Sequence, residues 1–210
     1  MPFGRDSNPF LRDEGSSGLS VFWNIVQGII IAIAINVTIY FMFVMPCQVD
    51  GPSMQPTLMN ADLLLTNKIP TWLGQTTFGK ENGLDYHRGD IIVFSYQDIY
   101  LVKRIIGIGG DTIMIKGGHV YLNGSLLNES YLASTIQTIY PDSMYALHNE
   151  GETFTIPGNQ FFVLGDNREN SKDSRFAEVG LIDRGKIKGV VFFKFWPINQ
   201  LKIISKPTYS

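Results

Sequence analysis

The sequence predicts a mainly β domain, with a closed or folded sheet, preceded by one N-terminal transmembrane helix. Residues 21–45 form an apolar run without Asp, Glu, Lys or Arg, and beyond residue 46 the chain changes to short apolar runs separated by Gly, Asn and Pro. After residue 46, no segment keeps the apolar period of an amphipathic helix over about ten positions. The 210 residues are enough for one anchor and one domain with its own core.

The composition excludes several functional classes. A net charge of −2 and a pI near 5.9 provide no basic surface for nucleic acid. The single cysteine, Cys47, rules out an internal disulfide framework and a paired-cysteine metal site. The three histidines, His87, His119 and His148, lack the spacing of a metal-binding motif. We therefore expect neither a metal nor an organic cofactor.

The first element is the apolar run of residues 21–45. A helix needs about 20 mostly apolar residues to cross a bilayer core, and lipid forces such a segment to be helical because it cannot hydrogen-bond to the backbone. The chain leaves the run through "FVMPCQV", which lacks the small residues of a cleaved secretory or lipoprotein signal, and this favours a permanent anchor. Residues 1–20 are predicted to be a flexible tail, and residues 46–210 the β-rich domain.

Charges around the anchor predict its orientation. Arg5 and Arg12 precede it, and no Lys or Arg follows until Lys68. Positive charge in short flanking segments favours the cytoplasmic side, so we expect a cytoplasmic N-terminus and an extracytoplasmic domain. The tail carries three acidic residues, unlike an acid-poor organelle transit segment. This favours a bacterial plasma membrane over an organelle inner membrane or a thylakoid.

Seven runs after the anchor are predicted as β-strands because they are short, rich in β-branched and aromatic residues, and bounded by turn formers. "KGGH" and "LNGS" predict hairpin turns, since glycine accepts a positive φ. Residues 69–87 are predicted as a loop, and residues 125–150 as an excursion from the main sheet. The seven runs are "DIIVFSYQ", "IYLVKRIIGI", "DTIMIK", "HVYLNG", "TFTIP", "QFFVLGD" and "KIKGVVFFKFW".

Lys103 is a candidate general base. Side chains alternate along the strand "YLVKRII", so Lys103 shares its face with Leu101 and Ile105. Such a lysine loses hydration, which lowers its pKa, and a neutral amine can accept a proton. The ordinary alternative is a lysine whose amine reaches solvent from the end of a strand.

Ser53 is a candidate nucleophile in "DGPSMQPTL". Pro52 and Pro56 each fix their own φ and keep the preceding residue out of a helix, which constrains the loop. Gly51 allows another backbone to approach closely. A serine hydroxyl needs a base to take its proton. The histidines supply no comparable motif, whereas Ser-Lys pairs are a known variant of triad chemistry.

Residues 165–175, "GDNRENSKDSR", directly follow the apolar strand "QFFVL". They combine turn formers, hydroxyls and charges of both signs. Alone, this segment also fits a capped, salt-bridged loop without any catalytic role.

Taken together, these segments resemble the type I signal peptidase family, membrane-bound serine proteases that remove signal peptides from exported proteins. The resemblance spans roughly residues 48–197, and four boxes in the family's order are far more specific than one alone. "GPSMQPTL" is similar to the nucleophile box, "RGDIIVF" to the next box, "YLVKRIIGIGGD" to the lysine box, "GDNRENSKDSR" to the last box, and "KIKGVVFFKFWP" to the strand that follows it.

The resemblance implies a signal-peptidase-like folded β-sheet or barrel domain and a Ser-Lys dyad. Ser53 would be the nucleophile and Lys103 the general base, and the oxyanion would bind the Ser53 backbone N–H. Some family members carry a serine two places before the nucleophile that completes the oxyanion hole. This chain has Gly51 there, so the second donor is left open between Gly51, another backbone group and water.

The resemblance also implies a supporting set of polar residues. Ser171 would hydrogen-bond to the lysine amine and orient it. Asp166 is expected to pair with Arg104, and Asp173 with Arg175. A carboxylate beside Arg104 would offset a like charge next to the lysine.

The implied substrates are preproteins with small residues at the first and third positions before the cut. Met54 and Leu58 are expected to line a small S1 pocket, with Val49, Leu101 and Val102 as further candidates for its walls. A narrow apolar pocket excludes large side chains sterically, which is a strong form of specificity.

Two alternatives compete with this hypothesis. A Ser-Lys protease of the self-cleaving repressor type needs a DNA-binding helix-turn-helix, which the N-terminal sequence lacks. A catalytically silent, membrane-tethered β-domain that binds exported peptides has no need for both Ser53 and Lys103. The expected partners are preproteins and the lipid bilayer, with no nucleic acid, and the sequence leaves the oligomeric state open.

Overall fold

The computed structural model describes residues 14–207 and residue 209. The chain divides into two compact units between Met42 and Phe43. The first contains helix α1 up to Met42, and the second contains the β-sheets.

Helix α1 spans Glu14–Phe43, and its segment Gly18–Phe43 is long and apolar enough to cross a membrane. The helix therefore begins within the predicted tail and ends two residues before the predicted end of the anchor; residues 1–13 lie outside the described residues. It stops at Phe43 because the next five residues pair as a β-strand, and Pro46 lacks the N–H that a helix needs. Asn36 and Thr38 donate to carbonyls four residues earlier, which satisfies both polar side chains inside the apolar segment.

The second unit is mainly β, as predicted, and its larger sheet has eight antiparallel strands. The strand order is β1-β2-β11-β3-β4-β9-β10, with β12 pairing with β11. Their bounds are β1 Val44–Gln48, β2 Leu63–Asn67, β3 Ile91–Tyr96, β4 Ile99–Ile108, β9 Gln160–Leu164, β10 Ile182–Asp183, β11 Ile187–Trp196 and β12 Lys202–Ile203.

The smaller sheet has four antiparallel strands in the order β7-β6-β5-β8. The two predicted hairpin turns are confirmed. Gly117 and Gly118 have φ of 59° and 78°, and Asn123 and Gly124 have φ of 52° and 81°, as a two-residue turn of type I′ requires. The strands are β5 Thr112–Lys116, β6 His119–Leu122, β7 Ser125–Leu126 and β8 Thr153–Thr155.

All seven predicted strands are present, whereas β1, β2, β7, β10 and β12 were not predicted as strands. The expectation of a structureless loop at residues 69–87 was wrong, since this stretch contains the short helices α2, Ile69–Leu73, and α3, Thr77–Glu81. Each has only five residues, too few for an apolar period. Pro70 is placed in the first turn of α2, and the Thr76 side chain caps α3 by accepting from Gly79 N–H.

Two apolar clusters support the segments that carry the candidate site, the β1–β2 loop and strand β4. One cluster lies beneath the β1–β2 loop and combines Val49, Met54 and Leu58 with residues of β2, β3 and β11. A second contains Ile105 of β4 with residues of β3 and β9, and Leu101 packs against it. The β1–β2 loop and β4 thus each rest on buried side chains, and this packing fixes the positions of their polar atoms. Three short 3₁₀ turns, Arg168–Asn170, Arg184–Lys186 and Ile198–Gln200, complete the described part of the second unit.

Candidate active site

Ser53 lies in the loop of residues 49–62 that connects β1 to β2. The base of this loop is closed by two backbone hydrogen bonds, Val49 N–H to Asp62 and Ala61 N–H to Val49, each 2.9 Å. Directly after Ser53 the chain turns, with Leu58 N–H donating to Met54 at 2.9 Å. Antiparallel strands hold both ends of the loop, so its conformation is set by the sheet.

Lys103 approaches Ser53 from the middle of β4. Its Nζ lies 2.8 Å from Ser53 Oγ and donates to the Val102 carbonyl at 3.0 Å. The residue is only 2% exposed. A partly buried hydroxyl and a buried amine are therefore within hydrogen-bonding distance, the geometry that proton transfer between them requires.

Burial also changes the acidity of this amine. Loss of hydration lowers the pKa of Lys103 to about 8, against the opposing effects of Asp173 and Asp166, which raise it. The cation of Arg175 lowers the pKa further. Near neutral pH a part of the Lys103 population is therefore uncharged and able to accept a proton.

Arg104, the neighbour of Lys103 on β4, is paired with Asp166. Its Nε and Nη2 donate to the two carboxylate oxygens at 2.8 and 2.6 Å, and its Nη1 donates to the Gly89 carbonyl at 2.9 Å. Both side chains are buried. The predicted partners therefore meet, and the carboxylate compensates a cation that would otherwise be unpaired beside the lysine.

Asp173 and Arg175 also meet, and together they fasten the 165–175 loop to itself. Arg175 Nε donates to Asp173 Oδ1 at 2.8 Å, while Asp173 Oδ2 accepts from Gly165 N–H at 3.0 Å. Arg175 Nη2 donates to the carbonyls of Arg168 and Ser171 at 2.6 and 3.2 Å. This buried network determines the path of the loop.

The expected hydrogen bond between Ser171 and Lys103 is not formed. Ser171 Oγ is buried and has no hydrogen-bond partner among the described residues, because the lysine amine is directed to Ser53 and a backbone carbonyl. Ser171 instead lies against Gly165. A Cβ at Gly165 would overlap Ser171 Oγ and come within 2.5 Å of the Ser53 carbonyl oxygen.

The oxyanion prediction is corrected at Gly51. Its N–H donates to Asn60 Oδ1 at 2.8 Å, so it is already occupied as a hydrogen-bond donor. Gly51 has φ of 91°, a conformation that a serine at this position would adopt only with strain. Within the described part of the chain, the Ser53 N–H donates to no acceptor.

Three of the expected pocket residues belong to the core instead. Met54 and Leu58 have no exposed surface, and Val49 is almost fully buried with them. Their side chains support the serine loop from below because burying them stabilises the β1–β2 connection. Leu101 and Val102 are half-buried and keep some surface next to the lysine.

Sequence reasoning missed the link between the two loops. Asn167 N–H donates to the Ser53 carbonyl at 3.0 Å, and the Asn167 side chain donates to the Pro52 carbonyl at 3.2 Å. In the sequence, the only indication of a role for Asn167 is its position in the "GDNR" motif. Asn167 thus holds the nucleophile loop against the 165–175 loop.

Sequence reasoning also missed a partly buried ion pair, between the buried Arg168 and Glu129, that holds the excursion of residues 125–150. Arg168 Nη1 donates to Glu129 at 3.1 Å, and its Nε donates to the Gly165 carbonyl at 3.0 Å. Two residues after Glu129, the ring of Tyr131 lies 4.1 Å from the guanidinium carbon of Arg104. No sequence pattern marked Glu129 or Tyr131, since their partners are far away in the chain.

Among the described residues, no three His, Cys, Asp or Glu side chains converge as metal ligands.

The comparisons with known proteins agree with the motifs. Residues 22–196 match the family described as signal peptidase, peptidase S26. Signal peptidase I S of Bacillus subtilis is 35% identical, over 91% of this chain and 98% of that protein. A signal peptidase I of Bacillus amyloliquefaciens is 34% identical, over 90% and 96%. A crystal structure of a signal peptidase I from Enterococcus faecalis shares 32% identity, covers 50% of this chain and 96% of its own, and has a TM-score of 0.41.

Proposed function

The chain belongs to the peptidase S26 family of signal peptidases, and from that premise we propose that it cleaves signal peptides from exported preproteins with Ser53 as nucleophile and Lys103 as general base. One observation carries the proposal: the 2.8 Å approach of the lysine Nζ to the serine Oγ. The low pKa of the lysine, about 8, supports it because a charged amine cannot act as a base.

In the first step, the neutral amine of Lys103 takes the hydroxyl proton of Ser53 while Oγ attacks the scissile carbonyl carbon. The electrons of the carbonyl π bond move onto the carbonyl oxygen, and the Ser53 N–H stabilises the resulting oxyanion. When the oxyanion collapses, the C–N bond breaks and the ammonium of Lys103 returns its proton to the leaving amine. The mature protein departs, and the signal peptide remains as an ester on Ser53.

In the second step, water attacks the ester carbonyl and Lys103 takes a proton from that water. Collapse of the second tetrahedral intermediate breaks the bond to Oγ, and the ammonium reprotonates the serine. The signal peptide leaves as a carboxylic acid, which then loses its proton to bulk water at neutral pH, so atoms and charges balance. Each proton transfer uses only the side chains of Ser53 and Lys103, the substrate and water.

The surrounding residues are proposed to position these two groups. The Arg104–Asp166 and Asp173–Arg175 pairs keep the loop rigid and compensate the charges around the buried amine. Leu101 and Val102, which keep some accessible surface, are the remaining candidates for the walls of a pocket that accepts a small side chain.

We further propose that helix α1 anchors the protein in a bacterial plasma membrane, with a cytoplasmic N-terminus and an extracytoplasmic catalytic domain. The apolar segment Gly18–Phe43 and the two arginines before it support this orientation. An organelle inner membrane or a thylakoid is the alternative location.

The test is cleavage of a labelled preprotein, with alanine at the first and third positions before the cut, by the purified full-length protein. Ser53→Ala and Lys103→Met should each lower kcat/KM by about 10³-fold or more. The matched controls are Ser125→Ala and Lys116→Met, whose side chains are exposed on the smaller sheet. Wild-type cleavage by either dyad variant would overturn the mechanism, and a wild-type protein that binds the preprotein without cutting it would favour the silent peptide-binding domain.

A further inference from the structure

The chain returns to the candidate site after β12. Ile204 N–H donates to the Phe192 carbonyl of β11 at 2.9 Å, which fixes the start of this stretch against the larger sheet. Three residues later, Pro207 lies against Gly89, where an added Cβ would come within 2.9 Å of Pro207 Cδ. Because the Gly89 carbonyl accepts from Arg104 Nη1, this path passes beside the guanidinium of Arg104.

Tyr209 joins the surroundings of Arg104 through Tyr131. The two phenol oxygens lie 3.2 Å apart. Tyr131 donates its own proton to Glu129 at 2.7 Å, so Tyr209 is the donor between the two phenols. The ring of Tyr131 lies 4.1 Å from the guanidinium carbon of Arg104, within the range of a cation–π contact. We call residues 204–207 and Tyr209 the closing segment.

Packing and burial keep the phenol of Tyr209 protonated and in place. Burial raises the pKa of Tyr209 to about 12, against the hydrogen bond with Tyr131 and the cation of Arg104, which lower it. The Tyr209 side chain packs against the apolar cluster that contains Ile106 of β4 and Leu164 of β9. Ile106 shares a face of β4 with Arg104, and Leu164 pairs with Arg104 in the sheet. Tyr209 therefore stays a hydrogen-bond donor at neutral pH, on the strand face that carries Arg104.

The closing segment limits the access of water to a buried ion pair. Arg104 is 2% exposed and Asp166 is 1% exposed. A cavity of about 340 Å³ is lined by Arg104, by the closing segment and by the β1–β2 loop, so displacing the segment would open the pair to water from that side. Water would weaken the attraction within the pair. The effect would reach the dyad, since burial lowers the pKa of Lys103 and the charge of Asp166 raises it.

We propose that Tyr209 is a positioning residue of the candidate site: its hydrogen bond to Tyr131 holds that ring on the Arg104 guanidinium and keeps the Arg104–Asp166 pair fixed and shielded from water beside the catalytic lysine. The inference rests on the proposed serine–lysine mechanism. Because Tyr209 acts through other side chains, its loss should affect turnover more than substrate binding.

The test compares two substitutions of Tyr209 in the purified full-length protein, with cleavage of the labelled preprotein as the readout. Tyr209→Phe removes one hydroxyl and keeps the ring, so kcat should fall by about two- to tenfold while KM stays within about twofold. Tyr209→Ala also removes the ring and should lower kcat further, and urea denaturation verifies that this variant is folded under the assay conditions. Tyr145→Phe, which removes a hydroxyl from a side chain that is 58% exposed on the excursion, is the matched control.

A double-mutant cycle distinguishes positioning from a general loss of packing. In Tyr131→Phe the hydroxyl that accepts from Tyr209 is absent, so adding Tyr209→Phe should lower kcat no further. Additive losses would contradict the proposed chain of contacts. The midpoint of the pH–rate profile should also move to lower pH in Tyr209→Ala, because water near Asp166 screens the attraction that raises the pKa of Lys103.

A further readout does not depend on activity. Exchange of the Arg104 guanidinium protons with solvent, followed by NMR of the detergent-solubilised protein, should be about tenfold faster in Tyr209→Ala than in the wild type. Wild-type kcat in both Tyr209 variants would overturn the inference and leave the proposed function intact. Absence of cleavage by the wild-type protein would overturn the proposed function, and the catalytic role of Tyr209 with it, whatever the exchange rates.

Discussion

The side-chain amine of Lys103 lies 2.8 Å from the hydroxyl oxygen of Ser53, although 50 residues separate them along the chain. Ser53 is in the loop that joins β1 to β2, whereas Lys103 is on β4, three strands from β2 in the sheet order. The loop therefore reaches across the sheet to the strand that carries the amine. Asn167 fastens the serine loop there, with its N–H donating to the Ser53 carbonyl and its side chain donating to the Pro52 carbonyl.

The pH dependence of cleavage should follow the ionisation of Lys103. Because the base must be neutral and its pKa is lowered to about 8, kcat/KM should rise with pH and level off above about 9. The measurement is a pH–rate profile of the detergent-solubilised protein on a peptide without ionisable groups near the cut. A rate that is constant between about pH 6 and 9 would exclude this lysine as the base.

Lys103→Met should be inactive yet at least as stable as the wild type at pH 7. The pKa of the buried amine, about 8 when folded, lies below its ordinary value of 10.5, so protonation favours the unfolded chain. This destabilisation is present in full below pH 8 and disappears as the pH rises through 10.5. Removing the amine should raise the free energy of unfolding by up to about 3 kcal/mol at pH 7, with a smaller gain at higher pH.

Urea denaturation of both proteins at neutral and alkaline pH measures this difference. Lys116→Met, which replaces an exposed lysine of the smaller sheet, should show no comparable gain. A large loss of stability in Lys103→Met at pH 7 would show that the amine contributes more through its hydrogen bonds than its burial costs.

Asp166→Asn should destabilise the protein strongly. It leaves the buried guanidinium of Arg104 without its anionic partner, and breaking a buried ion pair costs about 3–5 kcal/mol. Glu178→Gln is the matched control because it removes one partner of the exposed Lys172–Glu178 pair, which should change the stability little because solvent screens the pair. Chemical denaturation compares the two variants, and similar losses in both would contradict the importance assigned to burial.

Gly165→Ala should damage the site through packing alone. The added methyl group would overlap Ser171 Oγ and lie 2.5 Å from the Ser53 carbonyl oxygen, so the two loops must separate. We expect kcat/KM to fall by at least about tenfold and the stability to fall by about 1–3 kcal/mol. Gly158→Ala, whose new Cβ meets no atom within 4 Å, should keep both close to the wild-type values. Normal activity in Gly165→Ala would show that the loops can move apart without affecting the dyad.

Ser171→Ala should be mild compared with Ser53→Ala. Its Oγ makes no hydrogen bond among the described residues, so removing it breaks no bond and relieves a buried, unsatisfied hydroxyl. The loss of kcat/KM should stay within about tenfold, as expected for a group that does not react. A loss as large as that of Ser53→Ala would indicate that the hydroxyl takes a partner during the reaction.

Local patterns in the sequence determined the apolar helix, the seven predicted strands and the two hairpin turns, because hydrophobic period, charge and glycine conformations act over a few residues. The same local reasoning selected Ser53 and Lys103 as candidates, through the prolines around one and the aliphatic neighbours of the other. It failed for α2 and α3, whose caps and short lengths leave no periodic pattern.

Only the tertiary structure decided which of the candidate groups meet. Three features of the site depend on contacts with other segments of the chain. They are the burial that lowers the pKa of Lys103, the occupied N–H of Gly51 and the buried position of Met54. The pair Arg168–Glu129 joins residues 39 positions apart, without a pattern at either one that names its partner. The physical reason is that desolvation and hydrogen-bond geometry arise from packing, which the residues next to each group in sequence do not determine.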